Sequence, residues 1–431
     1  MTLALISVIA GLLFLLVIRV PIALALFTVS FLGIVAIRGL RPALQIVAQE
    51  PFSFVSSWTL SAVPLFIFMG LLVQTTGMSA SLFNASRLWL SRLPGGLAVA
   101  ANFSCAGFAA ASGSSVSTAA AMGRLAIPEM LRYGYQPGLS TAVVASAGTL
   151  GSLIPPSIIF ILYGIFAQVS VNKLFLAGIL PGLLTAGVYT VMIVVRCKLD
   201  PTLAPKITEK VSWKERFASL LDVLPLVMVI VFVLGGIYAA IFTATEAGAF
   251  GALSVIVVAM LQKRLNIANI SEALMSAVIN TAKIFFIAIG AVLLTKFLAI
   301  TGSGAKLADL ALTLQDSKFL LLSMMVVTYL ILGMFLDPIG VLLITIPVFL
   351  PVLNAIGFDL ILFGVLVVKF IEIGLLTPPV GLNVFVIKSV VGDSVSLVQI
   401  FKGVGWFLAC EAVVVALLFA FPSISLLLPY W

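Results

Sequence analysis

Residues 148–157 read GTLGSLIPPS, and residues 372–383 read EIGLLTPPVGLN. Each sets a Pro-Pro pair beside glycine inside a long apolar stretch. A proline removes a backbone donor and clashes with the preceding turn. It also pushes the residue before it out of the α region. Pro155 and Pro156, and again Pro378 and Pro379, should therefore open a helix completely; a simple kink is the blander alternative. Inside a membrane, opened backbone is tolerated only where it is buried in protein or lines a cavity. The freed carbonyls are hard, neutral ligands for a cation such as Na⁺. The free N–H groups of the helix that restarts attract an anion.

The two stretches are copies of one pattern. A shift of 223 residues carries Pro155 and Pro156 onto Pro378 and Pro379, Gly151 onto Gly374, Pro128 onto Pro351 and Gly134 onto Gly357. Earlier segments match only loosely. Weak internal symmetry of this kind marks secondary transporters, with the binding site at the interface of the repeats. A second interruption precedes each Pro-Pro break: SGSSVST at 112–118 in the first half and LDPIG at 336–340 in the second. The apolar arms around SGSSVST are too short to span twice, so a re-entrant helical hairpin with the serines at its tip is expected. Ser112, Ser114, Ser115, Ser117 and Thr118 offer hydroxyls to Na⁺ or a carboxylate; small-residue helix packing is the alternative. Asp337 stands in an otherwise uncharged run, where a carboxylate is expensive and points to function. It suits Na⁺ coordination or, more plainly, capping of the next helix.

The solvent for these segments is lipid. Of 431 residues, 62% are hydrophobic and 9% charged, and the mean hydropathy is +1.30; a soluble domain carries nearer a quarter charged. Backbone groups in lipid must be satisfied locally, so the spans should be α-helices, and the alternation of a barrel is absent. Apolar runs of roughly the 20 residues a bilayer needs occur at 3–18, 21–37, 52–76, 176–195, 219–241, 243–262, 276–299 and 405–427. The first run has no basic flank or clear cleavage site and is expected to stay as a helix. Residues 79–95 suit an interfacial amphipathic helix. Residues 196–217 hold six Lys/Arg against three Asp/Glu, which reads as a linker on the cytoplasmic side.

Other chemistry is disfavoured. With no histidine, three scattered cysteines and no GxxxxGK[ST] loop, the chain lacks a His-based triad, a CxxC metal pattern and a Walker phosphate loop. An enzyme is not expected. The net charge of +8 comes from residues at the ends of apolar runs, without basic–aromatic clusters, and does not point to nucleic acid. Lys369 and Glu372, three apart, could pair on one helical face. Glu246 and Lys388 could be ligands or structural pairs, and Arg124 and Glu129 could anchor the first hairpin.

Taken in order, LSAVPLFIFMG, SGSSVSTAAAMGRLAIPEM, GTLGSLIPPSIIFILYG, KLFLAGILPG, TATEAGAFGAL and EIGLLTPPVGLNVFVIK resemble the large membrane subunit of TRAP transporters, the tripartite ATP-independent periplasmic carriers, along almost the whole chain. The resemblance implies an all-α polytopic membrane protein of elevator type in a bacterial inner membrane. Two inverted repeats would each supply a re-entrant hairpin and a broken helix. It divides the chain into scaffold helices and an interfacial arm (1–95), a first hairpin and broken helix (96–175), a scaffold helix (176–195), the linker (196–217), second-half scaffold helices (218–317), a second hairpin and broken helix (318–395) and a C-terminal helix (396–431). It implies Na⁺ as coupling ion with no cofactor, a small membrane subunit and a periplasmic substrate-binding protein as partners, and a small organic anion as cargo.

Carried over by motif, one Na⁺ site would use Ser112, Gly148 and Gly151, and a second Asp337, Gly374 and Thr377. The substrate would meet Ser114, Ser115, Ser157, Thr118 and Asn383. Sialic-acid carriers of the family have a carboxylate where this chain has Thr118, which leans the reading toward smaller acids such as C4-dicarboxylates. The alternative function class is a passive channel or uniporter for organic anions.

Overall fold

The computed structural model describes residues 2–205, 211–313 and 318–431. Helices are the only regular elements among them. The first half begins with α1 (Thr2–Val17), α2 (Ile22–Arg38), α3 (Leu40–Val55), α4 (Ala62–Thr75) and α5 (Met78–Leu90). It continues with α6 (Gly96–Ser112), α7 (Ser115–Arg132), α8 (Pro137–Gly148), the single turn α9 (Leu150–Leu153), α10 (Ile158–Ala167) and α11 (Val171–Leu199). The second half holds α12 (Trp213–Tyr238), α13 (Ala244–Leu261), α14 (Ile267–Thr301), α15 (Ser303–Thr313), α16 (Lys318–Phe335), α17 (Pro338–Ala355), α18 (Leu360–Gly374), α19 (Leu382–Val391), α20 (Leu397–Ala420) and the short α21 (Ser423–Leu426). Among the described residues, eight segments are long and apolar enough to cross a membrane.

Polar residues start the long helices where the apolar runs begin. Ser212 with Glu215, Thr243 with Glu246, and Ser396 with Gln399 each form a capping box, at the starts of α12, α13 and α20. Each satisfies two of the otherwise orphaned N–H donors. Glu246, a possible ligand in the sequence, thus serves as a cap. Other boundaries differ from the apolar runs. The run 52–76 is not one helix: α3 stops at Val55, Ser57 is extended, and a 3₁₀ turn over Trp58–Ser61 leads into α4. Polar Ser56, Ser57 and Thr59 interrupt the run there. The last run ends early, because α20 stops at Ala420 just before Pro422.

The loop between the halves is shorter than its composition suggests, since α11 runs through Arg196 and Lys198 to Leu199. It is also anchored. The Gln136 N–H donates to the Leu203 carbonyl at 2.9 Å, and Leu203 and Ala204 are buried. Asp200 accepts from the Thr202 hydroxyl and backbone N–H, which holds its carboxyl below the usual carboxylate range.

The shift of 223 residues reappears in the helix boundaries. Ser112, the end of α6, maps to Phe335, the end of α16. Ser115, Arg132 and Pro137 map to Pro338, Ala355 and Leu360, where α17 begins, α17 ends and α18 begins. Contacts between the halves are reciprocal: α7 packs on α19 and α17 on α10, while α8 packs on α20 and α18 on α11. The hairpins, broken helices, α11 and α20 form a connected body, onto which α5 also packs through α6, and α14 and α15 through α17. α11, which holds residues 176–195, packs on α6, α9, α10, α18 and α20. Around this body lie α1–α5 and α12–α15, with α14 against α2 and α4, and α13 against α4.

Candidate functional site

A cavity of about 370 Å³ lies among the two hairpin tips, α4 and α14. Its size suits a small-molecule site. Ser114 to Ser117 at the start of α7, Ile158 and Ile159 at the start of α10, and Asp337 to Ile339 at the start of α17 line one side. Three helix N-termini therefore border one space. Each turns the positive end of a helix dipole toward it, which favours a bound anion; at α17 the Asp337 carboxylate already takes that place. From the opposite side come Gln74 of α4 and Asn280 and Lys283 of α14. Lys283 is the cationic side chain among the residues that line this cavity.

The first tip is tightly built. Gly113 takes a left-handed conformation (φ 62°), and a Cβ there would lie 2.7 Å from the Pro156 carbonyl oxygen. The Ile158 N–H donates to the Gly113 carbonyl at 3.2 Å, so the tip is fastened to the first break. The Ser112 and Thr118 hydroxyls are 2.7 Å apart. A Cβ on Gly151 would meet the Ser114 carbonyl oxygen at 2.5 Å and the Thr118 hydroxyl at 2.6 Å; one on Gly148 would meet Ala119. Ser112, Thr118, Gly151 and the Ser114 carbonyl thus gather closely. Ser114 caps α7.

The second tip is simpler. The Asp337 carboxylate caps α17, accepting the Gly340 N–H at 3.0 Å, and also lines the cavity. The second break reaches this hairpin through the Gly381 N–H and the Met334 carbonyl, 3.4 Å apart. Gly374 packs backbone to backbone on Gly333, whose Cα would lie 2.7 Å from an added Cβ. The Thr377 hydroxyl donates to the Ile373 carbonyl of its own helix at 2.7 Å.

Of the residues singled out in the sequence, Ser112, Ser114, Ser115, Ser117 and Asp337 line the cavity. Thr118, Ser157 and Asn383 do not. Thr118 is turned to Ser112. Ser157 caps α10 and donates to the Ser152 carbonyl at 2.6 Å. Asn383, fully buried, donates to the Ala145 carbonyl at 3.3 Å. Glu129 pairs with Arg87 of α5 at 2.6 Å, tying the first hairpin to the surrounding helices, while Arg124 is exposed. Lys388 donates to the Val395 carbonyl at 3.1 Å and lies beside Asp393. Lys369 and Glu372 do not pair with each other. Lys369 forms a buried ion pair with Glu411 of α20 and donates to Thr185 of α11. Tyr189 of α11 also donates to Glu411. Glu372 instead accepts the Ser115 hydroxyl at 2.5 Å, and Ser115 touches Ser152.

Gln74, Asn280, Lys283 and Ser152 were missed in the sequence. Asn280 and Lys283 lie on an unbroken helix with no turn or proline to mark them, and Lys283 alone carried a signal, as a charge in an apolar run; Gln74 sits at the end of α4, just before the Thr76–Gly77 turn.

The fold is that of multi-span membrane transporters. It is shared with the YdaH transporter of Alcanivorax borkumensis (TM-score 0.66, 15% identity, covering 94% of this chain and 98% of that one). It is also shared with MtrF of Neisseria gonorrhoeae (TM-score 0.62, 15% identity, 89% and 85%). Residues 9–424 match the family described as tripartite ATP-independent periplasmic transporter, DctM component, and the chain belongs to that family. It is 35% identical to the C4-dicarboxylate TRAP transporter large permease protein DctM of Pseudomonas aeruginosa, over 91% of this chain and 93% of that one. It is 31% identical to the sialic acid permease SiaM of Vibrio cholerae (89% and 88%). It is 35% identical to the isethionate permease DctMQ of Oleidesulfovibrio alaskensis (87% and 59%).

Proposed function

We propose that this chain is the large permease subunit of a Na⁺-driven symporter for a small organic anion, a C4-dicarboxylate foremost. The observation that carries the anion reading is the meeting of three helix N-termini and Lys283 at one cavity. The anion lies between Lys283 and the Ser114 hydroxyl, while the Ser115 hydroxyl is already given to Glu372. Thr118, Ser157 and Asn383 act from behind, by holding the tip and the breaks in shape. One Na⁺ sits with Ser112, Gly148 and Gly151, and another with Asp337, Gly374 and Thr377. The body of hairpins and broken helices moves as an elevator against α1–α5 and α12–α15, with inverted repeats and re-entrant hairpins in the inner membrane. The basic excess of the 196–217 segment supports a cytoplasmic loop. A small membrane subunit and a periplasmic binding protein complete the system, as in the family.

The test is uptake of radiolabelled succinate into liposomes that hold the chain with its small subunit, with cognate binding protein outside. Accumulation that needs both an inward Na⁺ gradient and binding protein is expected. Equilibration without accumulation, indifferent to Na⁺, would overturn symport in favour of a passive facilitator. Accumulation of a different acid in a parallel panel would overturn only the dicarboxylate.

A further inference from the structure

The ligands proposed for the first Na⁺ site, Ser112, Gly148 and Gly151, are all neutral, whereas the second has Asp337. Yet a carboxylate stands beside the first site, and it comes from the other half of the chain. Glu372 of α18 is 1% exposed. One of its oxygens accepts the Ser115 hydroxyl at 2.5 Å. Its other oxygen, Oε2, is buried with no hydrogen-bond partner. Ser115 belongs to the same tip as Ser112, and Ser152, which touches Ser115, directly follows Gly151. The nearby buried cation, Lys369, does not balance Glu372, because it is paired with Glu411, which also takes the Tyr189 hydroxyl. Glu372 is left in the interior of the body with no ion-pair partner, where its ionised form is costly unless a cation joins it.

We propose that Glu372 supplies the negative charge of the first cation site and acts on the ion through Ser115. This rests on the Na⁺ reading above. A hydroxyl that donates to a carboxylate is polarised, so its oxygen becomes a better cation ligand; outer partners tune metal ligands in the same way. A bound monovalent cation then balances a charge that is otherwise unmatched. Glu372 is a positioning and charge-supplying residue, and the broken helix of the second half completes the ion site of the first. Each ion site thereby has one carboxylate.

The experiment is Na⁺ titration of the thermal midpoint of the purified permease with its small subunit, with choline replacing Na⁺, in parallel with Na⁺-dependent uptake. The variants are Glu372→Gln, which keeps size and hydrogen bonding but removes the charge, and Ser115→Ala, which keeps the charge but removes the relay. A ligand that binds only the folded state raises the midpoint with concentration. Glu372→Gln should need at least about tenfold more Na⁺ for half of the shift, equivalent to the loss of roughly one strong charge contact. Without Na⁺ it should be as stable as the wild type or more so, because the unbalanced charge is gone. Ser115→Ala should raise the Na⁺ requirement in the same direction. A wild-type Na⁺ requirement in Glu372→Gln, or equal destabilisation with and without Na⁺, would overturn the proposal and leave Glu372 a packing residue. A wild type whose midpoint and uptake both ignore Na⁺ would remove the coupling reading itself, and this proposal with it.

Discussion

Pro155 and Pro156 are buried, whereas Pro378 and Pro379, their counterparts one repeat later, are exposed. The two breaks share their motif, their place in the helix order and a cis bond between the prolines. They differ in what surrounds them. The first lies under its own hairpin tip, through Gly113, and under α11 through Gly178 and Gly182; the helix that restarts from it borders the cavity. The second has one long bond to its hairpin, from Gly381 to Met334, and α19 does not border that cavity. A Pro-Pro pair thus dictates that a helix opens, and its neighbours decide what the opening faces. The first is part of the cavity floor, and the second is turned away from the cavity and packs on α16, α7 and α8 instead.

The comparison breaks most visibly at Gly151. Alanine there would push against the Ser114 carbonyl and the Thr118 hydroxyl, and a well-packed core pays about 1–3 kcal/mol for such crowding. A thermal midpoint lowered by several degrees (roughly 2–4 °C per kcal/mol or less in a chain this size) and loss of most uptake are expected. Unchanged uptake would show that the first break is not the rigid element described here. Asp337 tests the second tip. Asp337→Ala removes the cap of α17, which costs about 1 kcal/mol, while Asp337→Asn keeps a capping side chain. If the carboxylate serves Na⁺, both variants raise the Na⁺ concentration for half-maximal uptake. If only Asp337→Ala does so, capping is its whole role. The smallest effect is expected at Thr377, whose hydroxyl bonds within its own helix. Thr377→Ala should change stability by no more than about 0.5 kcal/mol, so a rise in Na⁺ requirement would isolate ion binding from folding. No rise would take Thr377 out of the second site.

The helix breaks and hairpin tips were legible in the sequence because proline, glycine and clustered serine announce themselves inside apolar runs. The offset of 223 residues survives in the helix ends because it is carried by those same residues. What was not legible depends on tertiary contacts. Nothing in EIG at 372–374 tells that Glu372 turns to Ser115 rather than to Lys369, since the choice is made by which helices α18 packs on. Lys283 and Asn280 belong to an uninterrupted helix, and only the fold shows that they face the tips. The polar stop at Ser56 and Ser57 was hidden by the apolar residues on either side.

The reciprocal packing of α8 on α20 and α11 on α18 has an evolutionary consequence. If one half were a separate polypeptide, it would leave those helix faces bare. It could bury them only against a second copy, with each lending its last long helix to the other. In the present chain the two halves share these helices, and the loop docked on Gln136 joins them. Its halves should therefore fold when co-expressed as two fragments cut after residue 205, and neither should persist alone.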